Sequence, residues 1–229
     1  MIIAIMQPYL FPYIGYYQLI KSSDIFVFYD DVNYIKNGWI DRNRILSNGA
    51  PIYFKAPLLR SSSFKKINET ELNKDEYNKW RIKFIKTLEI AYKKAPFYSN
   101  AMNLVCGILD DKYEFISELS INSIRKTVKY MEFNSEFKKS SEDYKQDNLQ
   151  RDDRLIHICH TESATTYINM EGGSHLYAKE YFNQRHIDIQ FLKPNIEPYK
   201  QFKNDFVGGL SIIDILMFNS IDTIKSKYL

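Results

Sequence analysis

The chain has 229 residues, of which 45% are hydrophobic and 26% charged, and its 31 Lys and Arg against 28 Asp and Glu leave a formal net charge of +3. This composition supplies a full hydrophobic core, excludes an intrinsically disordered chain, and at roughly 150 residues per domain matches one domain or one domain with an insertion. The charge is too small to bind nucleic acid by field alone, and two cysteines make no disulfide framework.

Residues 2–6 are apolar and stop at Gln7-Pro8, without the basic start of a secretory signal or the roughly 18 apolar residues of a membrane helix. The expectation is a cytoplasmic protein with no membrane span, opening on a buried strand. Pro12 and the spacing of Tyr13, Ile14, Tyr16, Tyr17, Leu19 and Ile20 predict a helix, and Asp24–Asp31, closed by its two last acids, a second strand. Strand, tight loop, helix and strand form a βαβ unit, whose strands run parallel with a right-handed crossover. The predicted fold is α/β, a mostly parallel Rossmann-like sheet that binds its ligand at the carboxyl ends of the strands.

A third strand is expected at 51–56, after a polar loop at 33–49. Trp80, Phe84, Leu88 and Tyr92 then step by four, and Pro96 separates their helix from one at 98–108 and a later one around Phe115 and Leu119. This helical block, at about 75–131, reads as an insertion or lid within a single domain spanning 1–229. Beyond it the pattern predicts strands at 133–138, 165–169 and 187–192, helices at 151–160 and 174–184, and an exposed polar stretch at 140–153.

The loop from Gln7 to Tyr16 sits at the ligand end of the first strand, with Gln7 as a two-way hydrogen-bonding group and Tyr9 and Tyr13 as stacking surfaces. Its aromatics could equally well only pack the loop on the core. Asp30 and Asp31 point to opposite faces, so they cannot form a carboxylate dyad, but one of them could face the site; acids at strand ends also commonly cap or turn the chain. If the following loop is extended, Arg42 and Arg44 share a face and could grip a phosphate or carboxylate, with Lys36 nearby and Tyr34 or Trp39 stacking; the alternative is a solvated, ion-paired loop.

Gly172-Gly173-Ser174-His175 before a helix is a second candidate phosphate cradle, supported by Thr165, Thr166 and Asn169 in the preceding strand, and His175 is either a proton donor or a surface residue. His157 and His160 lack a third ligand at a recognisable spacing, so no metal site is expected, and Cys159 reads as a buried thiol. Ser211-Ile212-Ile213-Asp214 fits a capping box, in which the acid reaches back to the cap amide. P-loop, G-x-G-x-x-G, G-x-S-x-G and zinc-finger patterns do not occur, which removes the commonest motif-bearing enzyme classes and leaves the cofactor open.

Several of these segments resemble the WbqC-like family of bacteria: Met6-Gln7-Pro8-Tyr9-Leu10-Phe11-Pro12-Tyr13-Ile14-Gly15-Tyr16, Phe28-Tyr29-Asp30-Asp31-Val32, and Gly38-Trp39-Ile40 with Arg42-Asn43-Arg44-Ile45. So do Thr165-Thr166-Tyr167-Ile168-Asn169 with Gly172-Gly173, Tyr199-Lys200-Gln201-Phe202, and Leu210-Ser211-Ile212-Ile213-Asp214. Such proteins are associated with gene clusters for O-antigen and other surface polysaccharides. The resemblance implies a transferase acting on a nucleotide-linked amino sugar by acyl or aminoacyl transfer.

On that reading Asp30 or Asp31 is the general base or orients the amine, with His175 as second choice for proton transfer. Arg42, Arg44, Lys36 and the Gly172-Gly173 amides hold phosphates, and Tyr9, Tyr13 or Trp39 stacks on base or sugar. The partner is then a nucleotide-linked sugar or another small molecule, with a homo-oligomer possible. A non-catalytic binding or scaffold protein of the same pathway is the alternative. A fainter similarity to the nucleotidylyltransferase-like fold places Tyr13-Ile14-Gly15-Tyr16 on that fold's His-x-Gly-His signature, with both histidines replaced by tyrosine.

Overall fold

In the computed structural model, residues 1–144, 148–149, 151–203 and 205–229 are described. β1 (Ile2–Met6) lies at the centre of a sheet and is covered on both faces, which is why its run is continuously apolar: Ile3, Ala4 and Ile5 are all buried. α1 (Ile14–Lys21) crosses over to β2 (Ile25–Phe28), which pairs in parallel with β1, so the expected βαβ unit is present.

β3 (Arg42–Ser47) and β4 (Ala50–Lys55) follow as an antiparallel hairpin turned at Asn48 (φ 50°) and Gly49 (φ 78°), the left-handed pair that suits a two-residue hairpin turn. The strand expected at 51–56 therefore lies outside the parallel sheet, and part of the loop expected at 33–49 is its partner strand. The alternation along β3 was obscured because one of its buried residues, Asn43, is polar.

α2 (Lys74–Tyr92), α3 (Tyr98–Leu109) and α4 (Ile116–Tyr130) match the expected helical block. Their apolar faces, including Leu88, Val105 and Leu119, join one continuous core with Ala4, Phe26 and Phe28 of the sheet. β5 (Glu136–Lys139), α5 (Ser140–Asp143), α6 (Arg151–Thr161), β6 (Thr166–Met170), α7 (Lys179–Asn183), β7 (Asp188–Leu192), α8 (Ile212–Phe218) and α9 (Ile221–Tyr228) complete the chain. The sheet order is β5-β2-β1-β6-β7, with every pairing parallel. On its other face Ile3, Ile5, Ile25 and Val27 pack against Ile156, Cys159 and Phe182.

Strand order reverses between β1 and β6, so the ligand position of an open α/β sheet falls at their carboxyl ends, near Gln7 and Asn169. Among the described residues, no helix is long and apolar enough to cross a membrane.

Three local expectations are corrected. The helix expected at 174–184 is a 3-10 turn, Glu171–Leu176, followed by the short α7, because Tyr177 between them packs against Tyr167, Phe182 and Phe191 and draws the chain out of helical geometry. The stretch at 140–153 is not uniformly exposed: Ser140 and Tyr144 are buried, while 145–147 and 150 lie outside the described residues. In the Ser211 motif, Ser211 does cap α8, accepting from the Ile213 amide at 3.3 Å, but Asp214 does not reach back.

Asp214 is instead fully buried. It accepts hydrogen bonds from Tyr92 (2.8 Å), Tyr199 (2.5 Å) and Gln201 (2.7 Å), and Tyr92 in turn accepts the Leu46 amide (2.7 Å), so this one carboxylate joins α2, α8, β3 and the 199–201 segment. Burial raises its pKa above the ordinary 3.8, against the opposing pull of those three donors. The folded state therefore holds this proton more tightly than the unfolded chain, and Asp214's contribution to stability grows as pH falls through its raised value towards 3.8. Comparing thermal melts of the native protein and Asp214→Asn at about pH 7.5 and pH 4.5 should show the difference in Tm moving in the native protein's favour at the lower pH.

Candidate functional site

Phe11 holds a left-handed backbone (φ 44°) while buried, a conformation that costs a non-glycine residue about 1–3 kcal/mol and needs outside support. Asn43 supplies much of it: its side-chain amide donates to the carbonyls of Leu10 (3.2 Å) and Phe11 (2.8 Å), while its oxygen accepts the Arg44 amide (2.8 Å). Ser211 donates to the Phe11 carbonyl (2.8 Å), and the Phe11 amide donates to Ser123 of α4 (3.2 Å). Three distant segments thus fix the loop after β1.

Gly15 has a specific purpose in this loop. A Cβ there would meet the Tyr13 ring at 2.5 Å, so glycine lets that ring lie across the first turn of α1. Tyr16, at the second histidine position of the nucleotidylyltransferase-like signature, is fully buried and donates to the Gln7 carbonyl (2.9 Å).

The fixed loop makes one wall of a cavity of about 170 Å³, lined by Tyr9, Pro12, Tyr13, Trp39, Asn43 and Gly209. The Arg44 guanidinium lies over Trp39, 5.6 Å from its ring centre, and donates to the Gly209 carbonyl at 3.2 Å, while its buried Nε has no hydrogen-bond partner among the described residues. Gly209 holds φ 66° beside this guanidinium. Burial, followed by the nearby Tyr13 and Tyr177, raises the Tyr9 phenol to about 12, and burial also raises Tyr13. Both are therefore neutral hydrogen-bonding groups near neutral pH.

The remaining expected site residues divide sharply. Arg42 points its donors at the Gly38 and Asn37 carbonyls and stacks on Tyr53, so the two arginines are not a paired fork. Tyr34 is buried in the core, 1% exposed, and cannot stack on a ligand; Lys36 is exposed. Gln7 ends β1 partly exposed, and among the described residues its side chain makes no hydrogen bond. Asn169 lies at the carboxyl end of β6 and donates to Tyr167 (2.7 Å) and Tyr177 (3.0 Å).

Thr165 and Thr166 lie at the start of β6 beside Met1, on the opposite edge of the sheet from the site, because the strand runs from them towards Asn169. Gly172, Gly173 and His175 belong to the 3-10 turn, so they do not form the α-helix N-terminus expected there; His175 is exposed.

Asp30 is 3% exposed. Its carboxylate receives the Ser140 hydroxyl (3.1 Å), the Ser141 amide (3.0 Å) and the Ser141 hydroxyl (2.7 Å), which makes it the anchor for the start of α5. Asp31 pairs with Arg154 and with Ser140, and the Arg154 guanidinium covers Tyr29 at 5.1 Å. Both acids therefore join the end of β2 to α5 and α6. Asn43, Tyr177 and Arg154 escaped the sequence reading; only the position of Asn43 between two spaced arginines gave any signal. No group of three His, Cys, Asp or Glu able to hold a metal occurs among the described residues.

Each buried group left without its partner costs about 1–3 kcal/mol, and Asn43→Leu strands the Leu10 carbonyl and the Arg44 amide and leaves the Phe11 carbonyl to Ser211 alone. Urea denaturation should show a loss of about 3 kcal/mol or more, with Asn43→Asp similarly damaging because a carboxylate cannot donate to those carbonyls.

The profile of the WbqC-like protein family matches residues 7–226, which include the Gln7 loop, the hairpin, Asp214 and most of α9. The chain is 26% identical over 219 residues to a Mycobacterium tuberculosis (strain ATCC 25618 / H37Rv) protein, Uncharacterized protein Rv1507c, covering 93% of this chain and 92% of that one. No solved structure gives a significant match. With nearly its whole length matched by the family profile, the chain belongs to the WbqC-like protein family.

Proposed function

We propose that the protein binds a nucleotide-linked amino sugar in the aromatic pocket and transfers an acyl or aminoacyl group to it in surface-polysaccharide biosynthesis. The observation that carries this reading is an aromatic pocket walled by Tyr9, Tyr13 and Trp39, with the Arg44 guanidinium lying over Trp39, close to the switch point of a parallel sheet. Aromatic faces take a sugar or base ring, and a guanidinium beside them takes the phosphate. Gln7 carries an amide for a hydroxyl group, and the exposed Lys36 can approach a phosphate from solvent. Both acids are held internally, Asp30 by two serines and Asp31 by Arg154 and Ser140, so Asp31 acts as base only on leaving Arg154, and His175 is the second choice for proton transfer.

A second reading, a binding module without chemistry, is favoured by the internal partners of both acids. Thermal stability against a panel of nucleotides, nucleotide-linked amino sugars, acyl-CoA and amino acids tests the site, since a ligand at 100 times its Kd adds about 2.7 kcal/mol. The expected result is a shift specific to one nucleotide-linked sugar, weakened about tenfold or more in Arg44→Gln. No shift from any nucleotide compound overturns the phosphate assignment.

Turnover then separates the two readings. Product formation that is lost in Asp31→Asn, with ligand affinity kept, supports the transferase and Asp31 as base; binding without turnover across all donors and acceptors supports the module.

A further inference from the structure

A second concavity, of about 930 Å³, opens between the β3–β4 turn, the end of α2 and the 200–203 segment. Its lining carries four lysines, Lys93, Lys94, Lys200 and Lys203, against the single acid Glu89, which pairs with Lys93 at 3.4 Å. The groove thus has an excess of three positive charges, as large as the formal net charge of the whole chain, +3. Lys94, Lys200 and Lys203 are exposed, with no carboxylate partner among the described residues. Between them lie Leu46, Ala91 and Phe202, and Ile90 stands 80% exposed at the rim.

The Tyr199-Lys200-Gln201-Phe202 segment builds one side of this groove. Tyr199 and Gln201 turn inward to Asp214, while Lys200 and Phe202 line the concavity, with Phe202 braced edge-on against Phe218 at 4.8 Å. The lysines rim a concavity that also holds Ala91, Phe202 and Ile90, so charge and apolar surface face the same space.

We propose that this groove docks an acidic amphipathic helix of a partner protein. An apolar stripe on a rod-shaped ligand would cover Ile90 and the partly buried Phe202, which sit over the buried Leu46, while its acidic flanks meet the lysine rim. A flat anionic bilayer would meet the same rim and leave the floor uncovered. Leu46 and Asn43 are three residues apart on β3, about 10 Å along the strand and on opposite faces, so the groove and the aromatic pocket share the hairpin but not a face.

The test is fluorescence anisotropy of a labelled Glu- and Leu-containing helical peptide of about 18 residues. A scrambled peptide without the stripe and vesicles of phosphatidylglycerol serve as comparisons. The expected result is micromolar binding that weakens with salt and falls about tenfold in Lys94→Glu/Lys203→Glu and in Ile90→Glu, with melting temperatures unchanged. Absence of peptide binding, equal binding of the scrambled peptide, or vesicle binding without peptide binding would each overturn it.

Discussion

The buried left-handed turn at Phe11 is the constraint around which the pocket is arranged. Phe11 brings a large ring into the core and thereby bends the chain into a conformation its own side chain disfavours, so the turn persists only through hydrogen bonds from elsewhere. Asn43 on the hairpin, Ser211 before α8 and Ser123 on α4 provide them. Because the same hairpin carries Arg44, and the segment before Ser211 carries Gly209, the bonds that hold the turn also position the pocket's cation and far wall.

Asp214 performs a parallel task at the other end of the hairpin. Tyr92, Tyr199 and Gln201 converge on it, and Tyr92 passes the connection to the Leu46 amide. A buried carboxylate with three donors and no cation is a cooperative arrangement, in which the donors compensate for lost hydration only when all of them are in place. The β3–β4 hairpin, which belongs to no larger sheet, is thereby held at both ends, by Asn43 at one and by the Tyr92–Asp214 network at the other.

The two acids after β2 illustrate how a residue's sequence position constrains its role without deciding it. Their place at the carboxyl end of a parallel strand is where ligands bind, yet Ser140, Ser141 and Arg154 lie just beyond β5 and at the start of α6, which converge on the same corner. More than a hundred residues of chain separate these partners, as their numbering shows, and no local pattern announces the encounter. The converse holds for Arg42 and Arg44: their shared strand face was readable from spacing, but the nearby carbonyls of Asn37 and Gly38 take up one guanidinium and leave the other beside Trp39.

By itself the sequence determined the α/β class, the opening βαβ unit, the helical block of two to three helices and the family, because each rests on local periodicity, on turn residues or on contiguous motif wording. It also marked Tyr9, Tyr13, Trp39 and Arg44, which the fold gathers around one cavity. Tertiary structure alone decided that β3 pairs outside the main sheet, that Tyr34 is core, that Thr165 and Thr166 lie on the far edge, and that Asn43 and Asp214 are the hubs. The physical reason is that a buried polar side chain takes its meaning from its hydrogen-bond partners. Those partners come from segments whose proximity only the packed fold creates.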